Sequence, residues 1–392
     1  MAPRGRLGAD VHSRTALGPA DLADERLAEL VALQLGVPAD VTVLESHAEV
    51  AAYDLEALTT AGRYRVTGEA RCDGVDRPFA FYVKVVQSWA RSPAFVFVPE
   101  RLRELALADL PWGVEPAVYA SDLRDRLPDG LTMPTAYAVV ELDDDSAALW
   151  LELVDHDDGP WSSDDYVRAA RLLGRLAAAP AVREVSGVGR APEHVGGRVR
   201  RYAQGRVEHQ VLPALRSDDV WSHPLIADAF DDELRRRLLT AAEGLPGLVD
   251  ELERMPVLTM HGDGCSRNLL VRPEEPGLVL IDFGFFGRGP VGFDLGQLLM
   301  GEVQTGERPA ACLSALEAAC VPAYVEGLHD EGRVFGVDLV RRAHALQLLL
   351  FFGVSALPVE HLQGPPTPAL RALARARAAA VSFVLDLVDT TA

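Results

Sequence analysis

The sequence predicts a two-lobed α+β protein, with an antiparallel sheet and two helices over residues 21–154 and a mainly helical lobe over 155–392. Three observations carry this. Alternating apolar runs bounded by turn residues recur between Val41 and Val154 and then stop. Leucines at helical spacing dominate after residue 160. A strand–turn–strand unit near 269–281 interrupts those helices, so the second lobe is not purely α.

Residues 1–20 are polar, carry Gly and Pro, and read as a loose tail. Leu22, Leu27, Leu30 and Leu33 predict a helix over Asp21–Leu35 with Asp21 as its N-cap. Val41–Leu44, Arg63–Arg71 and Phe79–Val86 read as strands, the last two joined through Asp73-Gly74, a strong hairpin signal. Glu100–Leu110 reads as a short helix, and Ala136–Glu141 and Leu149–Val154 as further strands. An acidic stretch, Asp155–Asp165, marks the lobe boundary. Helices follow at Ser163–Ala179, Val199–Leu215 and Glu233–Leu252, and again near Pro309–His329, Asp338–Leu357 and Thr367–Val388.

Composition bounds the function. With 392 residues, 48% of them hydrophobic, the chain buries a large core and is not disordered. A net charge of −20 argues against a nucleic-acid partner, because phosphate contacts need clustered positive charge. Four cysteines without metal or disulfide spacing suit a reducing cytoplasm, and Met1–Asp10 holds no apolar signal core. The apolar stretch Ala345–Val359 is too short to span a bilayer, so no membrane association is expected.

Two features carry chemistry. Lys84 is the only lysine among 38 basic residues, and it lies in the apolar strand Phe79–Val86. A position that keeps a compact ammonium where arginine is used everywhere else fits a phosphate grip. Downstream, Val257–Val271 contains His261-Gly262-Asp263 and Asn268, and Leu278–Ile281 leads into Asp282-Phe283-Gly284. A hairpin between Leu269–Val271 and Leu278–Ile281 brings Asn268 beside Asp282, and both offer the hard oxygen that Mg2+ takes. Asp263 enters the same point from the preceding loop.

With Gly289–Leu299 following, these residues resemble the aminoglycoside phosphotransferase and choline kinase group, small-molecule kinases of protein kinase-like fold. The resemblance is dense at 257–299. It implies ATP or GTP as donor, Mg2+ held by Asn268 and Asp282, and Asp263 as catalytic base, with His261 in the catalytic set chiefly to orient the loop. Lys84 would grip the nucleotide phosphates, paired with Glu100, or with Glu104 one turn on. Trp150–Val154 resembles the strand that meets adenine, with Glu152 and Val154 at the contact. Asp294 resembles the group's structural aspartate. The sequence departs from protein kinases in having no Gly-x-Gly-x-x-Gly between residues 40 and 80; the candidate phosphate loop is Leu58–Gly62, with Thr60 as a ligand.

The expected activity is Mg2+- and ATP-dependent phosphorylation of a small-molecule hydroxyl, on an aminoglycoside, amino sugar or amino alcohol. Acidic residues at 155–165 (Asp155, Asp157, Asp158, Asp164 and Asp165) would attract a cationic acceptor if they lie at the cleft mouth. The alternative is a nucleotide-binding pseudokinase that regulates or binds a partner. The missing Gly-rich motif favours it, and the retention of Lys84, Asp263, Asn268 and Asp282 opposes it. Cys265, inside the loop, would be reactive only with a lowered pKa.

Overall fold

The computed structural model describes residues 12–37, 40–52, 57–273 and 277–392. Strands β1 (His12–Ser13), β2 (Val41–Val50), β3 (Thr60–Cys72), β4 (Val75–Gln87), β6 (Ala136–Asp143) and β7 (Ser146–Glu152) form a six-stranded sheet in the order β1-β2-β3-β4-β7-β6, once the short β5 (Leu131–Thr132) is set aside. All neighbours in it are antiparallel except β1 and β2. Asp73 and Gly74 take positive φ between β3 and β4, as a tight hairpin of this twist requires. Asp143 closes the β6–β7 turn by accepting from Asp145 N–H and Ser146 O–H, so β7 begins at Ser146, earlier than the sequence reading.

The loose-tail expectation is corrected for its second half. His12–Ser13 pairs with Ser46–His47 in β2. Arg14 is buried and donates to Ser46 Oγ, Asp21 and Asp24. Asp21 is thereby taken up as a counter-ion, and the first helix starts at Asp24 rather than on an Asp21 cap. Residues 1–11 lie outside the described ones.

The remainder is mostly helical, as expected. The helix Ser163–Ala178 opens on a full capping box between Ser162 and Asp165. Helices Asp232–Glu253, Phe293–Thr305, Leu313–Asp330, Val337–Leu348 and Pro368–Thr390 build one large core with it. Leu313–Asp330 sits in the one segment, 310–330, long and apolar enough to cross a bilayer among the described residues. Here it packs on Ser163–Ala178 so closely that Gly174 and Gly327 face opposing backbone. Strands β8 (Val257–Met260) and β11 (Gly287–Pro290) pair with each other, while β9 (Leu269–Val271) and β10 (Leu278–Leu280) form the expected hairpin and β5 adds to β10.

Two apolar cores result. The smaller lies on one face of the large sheet, under the helix Asp24–Leu35, and takes Phe81, Val83, Ala148 and Trp150. The other face, through Val86, Leu149 and Leu151, joins the helical core. Strand alternation therefore decides which β4 side chains look toward the second lobe, and Lys84 is among them.

Candidate active site

Lys84 emerges from β4 on the face opposite Val83 and Val85. Its Nζ lies 2.8 Å from Glu115 Oε1 and 2.7 Å from Oε2, and 3.0 Å from Asp282 Oδ1. Burial alone would drive the ammonium toward neutrality, but Asp282 and Glu115 outweigh it and hold its pKa above the ordinary lysine value. Asp282 is held below the ordinary carboxylate value because Lys84 outweighs the burial.

Glu115 replaces the expected partner. Glu100 sits exposed on the 3-10 turn Glu100–Leu102, and Glu104 is exposed on the helix Arg103–Asp109. The helix that packs against β6, β7 and the Phe283–Phe285 turn is the next one, Val114–Ala120. Its buried face carries Glu115. Pro116 hid this helix in the sequence, yet proline is tolerated in a first turn. The available signal was a carboxylate set among apolar residues from Trp112 to Tyr119.

The loop after β8 is pinned from one point. Asp294, buried in the first turn of the helix Phe293–Thr305, accepts the N–H groups of His261 at 2.9 Å and Gly262 at 2.7 Å. Gly262 has φ +88°, and a Cβ there would stand 2.4 Å from Phe285 O, so no other residue fits without moving the turn. The buried His261 ring lies against Phe283 at 5.1 Å, and its Nδ1 accepts the Asp263 N–H. Burial pushes His261 down to about 4, which keeps the ring neutral. Asp263 itself is half-buried. Burial and then Asp282 push its carboxyl up to about 7, against the pull of Asn268 and Arg198.

Asn268 is buried, and its Nδ2 donates to Asp263 O at 2.9 Å and Oδ2 at 3.0 Å. The β9–β10 register sets Leu269 opposite Leu280, and Ile281 N–H donates to Asn268 O at 3.1 Å. That places Asn268 next to Asp282, whose φ of 63° is unusual for a non-glycine residue. No group of three His, Cys, Asp or Glu spaced for a metal occurs among the described residues. One carboxylate and one amide oxygen nevertheless suit Mg2+, which keeps waters and takes substrate phosphate oxygens.

The other expected groups divide. Thr60 opens β3 opposite Val86, and Leu58 just before it reaches a cavity; residues 53–56 of that loop lie outside the described ones. Glu152 uses its carboxylate on Thr135 and Arg272, and the Val154 carbonyl meets the His156 ring. The acidic cluster is spent locally: Asp157 caps Gly159, Asp158 meets His156, and Asp165 serves Ser162 and Arg168. None of Asp155, Asp157, Asp158, Asp164 and Asp165 lines the cavity. Burial pushes the Cys265 thiol up to about 12, so it is not a thiolate at neutral pH.

That cavity, of about 860 Å3, was not legible in the sequence. Gly262 and Phe285 line it where the loop after β8 passes. Its walls carry Phe97, Leu105, Met300 and Phe351 beside several charged and amide side chains.

The chain matches the family described as "Phosphotransferase enzyme family" over residues 102–331, a span that holds Glu115, Asp263, Asn268 and Asp282. No curated protein matches it. Among solved structures it is similar to an aminoglycoside phosphotransferase from Alicyclobacillus acidocaldarius, at 15% identity and TM-score 0.48 over 87% of this chain and 93% of that one. It is similar to an amicoumacin kinase solved in complex with AMP-PNP, Ca2+ and Ami, at 13% identity and TM-score 0.44 over 92% and 94%. It is also similar to a Plasmodium vivax ethanolamine kinase, at 8% identity and TM-score 0.43 over 88% and 82%.

Proposed function

This chain belongs to the phosphotransferase enzyme family, as the sequence reading expected, and we propose that it transfers the γ-phosphoryl group of ATP to a hydroxyl of a small molecule with Mg2+ as cofactor. The observation that most supports this is the meeting of Lys84 with Asp282 at 3.0 Å, beside Asp263 and Asn268. Those four groups come from β4, the loop after β8 and both sides of the β9–β10 hairpin.

Asp263 orients the acceptor hydroxyl and takes its proton; a carboxyl with a raised pKa suits that task near neutral pH. Lys84, held by Glu115, grips donor phosphate oxygens. Asp282 and Asn268 hold Mg2+, which supplies neutralisation of phosphate charge. Asp294 and His261 keep the loop in place without touching substrate. Phosphoryl transfer leaves the protein little covalent chemistry, so this fixed geometry is its main contribution. The four cysteines are all unpaired, which fits a cytoplasmic enzyme.

The test is a mass-shift screen of purified protein with Mg-ATP or Mg-GTP and a panel of hydroxyl compounds. Aminoglycosides, amino sugars and amino alcohols form its first half. A phosphate adduct on any acceptor bears the proposal out. A nucleotidyl adduct changes the reaction, and Mg-ATP binding without turnover on any acceptor returns the pseudokinase reading.

A further inference from the structure

The cavity that reaches Gly262, the residue before Asp263, carries the opposite charge from one built for amines. Arg198, Arg201 and Arg206 reach its wall from one helical segment. Its acids are Asp109 and Glu360, and Glu360 is paired with Arg377 at 2.7 Å.

Arg198 is the informative side chain. Its guanidinium stacks over the Phe285 ring at 4.3 Å and near Phe293 at 5.6 Å. Its Nε and Nη1 are shielded from solvent and meet no hydrogen-bond acceptor among the described residues, although Asp109, whose Oδ1 is likewise unpartnered, and Asp263 both stabilise its charge. Stacking fixes the plane of the fork, and no protein acceptor occupies these two N–H groups. A shielded cationic donor left without an acceptor is costly, so such groups point to a missing partner. Arg201 is tied to the carbonyls of Gly196 and His194, and it adds charge rather than a free fork. Nearby Arg190 is pushed down to about 10, by burial first and then by Arg198 and Arg201, in keeping with a local positive field.

The rest of the cavity asks for an apolar body. Phe97, at its edge, is 85% exposed. Two π-helical stretches, Ala203–Val211 and Leu349–Gly353, contribute to its walls through Gly205 and Phe351. Such wide turns recur at functional sites.

We propose that the acceptor is a hydroxyl compound with an apolar body and an oxyanion, carboxylate or phosphate monoester, and that Arg198 binds the oxyanion while the hydroxyl lies at Asp263. This rests on the phosphotransfer reading above and names the acceptor class of that site. Arg198 and Gly262, the residue before Asp263, both line this cavity, as two ends of one small ligand require.

The experiment titrates the full chain, with Mg-AMP-PNP present, with hydroxyl compounds on linear, aromatic and polycyclic bodies. Each body is supplied as carboxylate, phosphate monoester, methyl ester and primary amine. Wild type should bind an anionic form roughly 10- to 100-fold tighter than its ester, the range of a charge-assisted hydrogen bond, and the amine most weakly. The carboxylate and phosphate arms identify which oxyanion is used. Arg198→Gln and Arg198→Met should both abolish the anion preference, with Mg-AMP-PNP affinity and thermal melting as controls on the fold. The proposal is overturned if amines bind better, if no anionic probe binds, or if the preference survives both substitutions. A loss of nucleotide affinity in the variants also overturns it, since Arg198 would then serve the donor. Failure of wild type to bind Mg-AMP-PNP instead sinks the phosphotransfer reading itself, and this proposal with it.

Discussion

Lys84 Nζ lies 2.7 Å from Glu115 Oε2, with both side chains buried and the two residues 31 positions apart in the chain. The lone lysine of the protein is thus held by a carboxylate from a helix that the sequence did not single out.

Glu115→Gln should lower kcat/KM by about 100-fold, because a displaced ammonium no longer meets the phosphates in register. Breaking a buried pair also destabilises, by about 3–5 kcal/mol. Glu100→Gln should leave both activity and melting unchanged, since Glu100 is exposed and Lys84 pairs with Glu115 and Asp282 instead. Steady-state kinetics and thermal melting of the two variants decide; an equal loss in both would mean that the observed pairing is not the one activity uses.

Lys84→Arg keeps the charge and should still lose most activity. The site holds an ammonium between two carboxylates at 2.7 and 3.0 Å, and a planar fork is too large for it. Wild-type kcat/KM in this variant would show that the single lysine has no special role.

Asp263→Asn should cut kcat by roughly 100- to 10,000-fold, the usual worth of a general base. Asn268 can still donate to the Asp263 backbone carbonyl, so the loop should hold and Mg-ATP affinity should stay close to wild type. Calorimetry beside turnover separates the two effects, and preserved turnover would remove Asp263 from the mechanism.

His344 gives the protein an acid-labile core. Burial, and then Arg341, pushes its pKa down to about 3 from an ordinary 6.5. The unfolded chain therefore takes up a proton between those values that the folded chain refuses, so stability falls as pH drops from 6.5 toward 3. At about 1.4 kcal/mol per unit, wild type should lose about 3 kcal/mol by pH 4 that His344→Leu does not lose. Urea unfolding of both proteins at pH 7, 5 and 4 measures it; parallel losses would mean that His344 does not titrate on unfolding.

Gly327→Ala should destabilise by about 3 kcal/mol or more. The added Cβ would lie 1.9 Å from the Arg171 carbonyl oxygen, and backbone cannot rotate away as a side chain can. Gly244→Ala, exposed in the helix Asp232–Glu253 with nothing near the new Cβ, should instead stabilise by up to about 1 kcal/mol. Melting curves of the two variants provide the check, and a tolerated Gly327→Ala would mean that the two helices can separate at no cost.

Much of the site was legible because it is local. His261 to Asn268 is one loop, and the turn chemistry between Val271 and Leu278 folds the hairpin that sets Asn268 beside Asp282. Lys84 stood out by residue type alone. Strand alternation in β4 and the positive-φ Asp73-Gly74 turn likewise follow from a few neighbouring residues.

What the chain's order could not decide was which distant groups share a buried place. The choice of Glu115 over Glu100 depends on which of two short helices packs against β6 and β7. Arg14 is drawn into the sheet by Ser46, Asp21 and Asp24, although its flanking sequence reads as a tail. Arg198, two of whose N–H groups lack a hydrogen-bond acceptor, lines a cavity assembled from segments between Leu58 and Val384. Backbone geometry is set over a few residues, whereas the cost of burying a charge is set by whatever the rest of the fold brings against it.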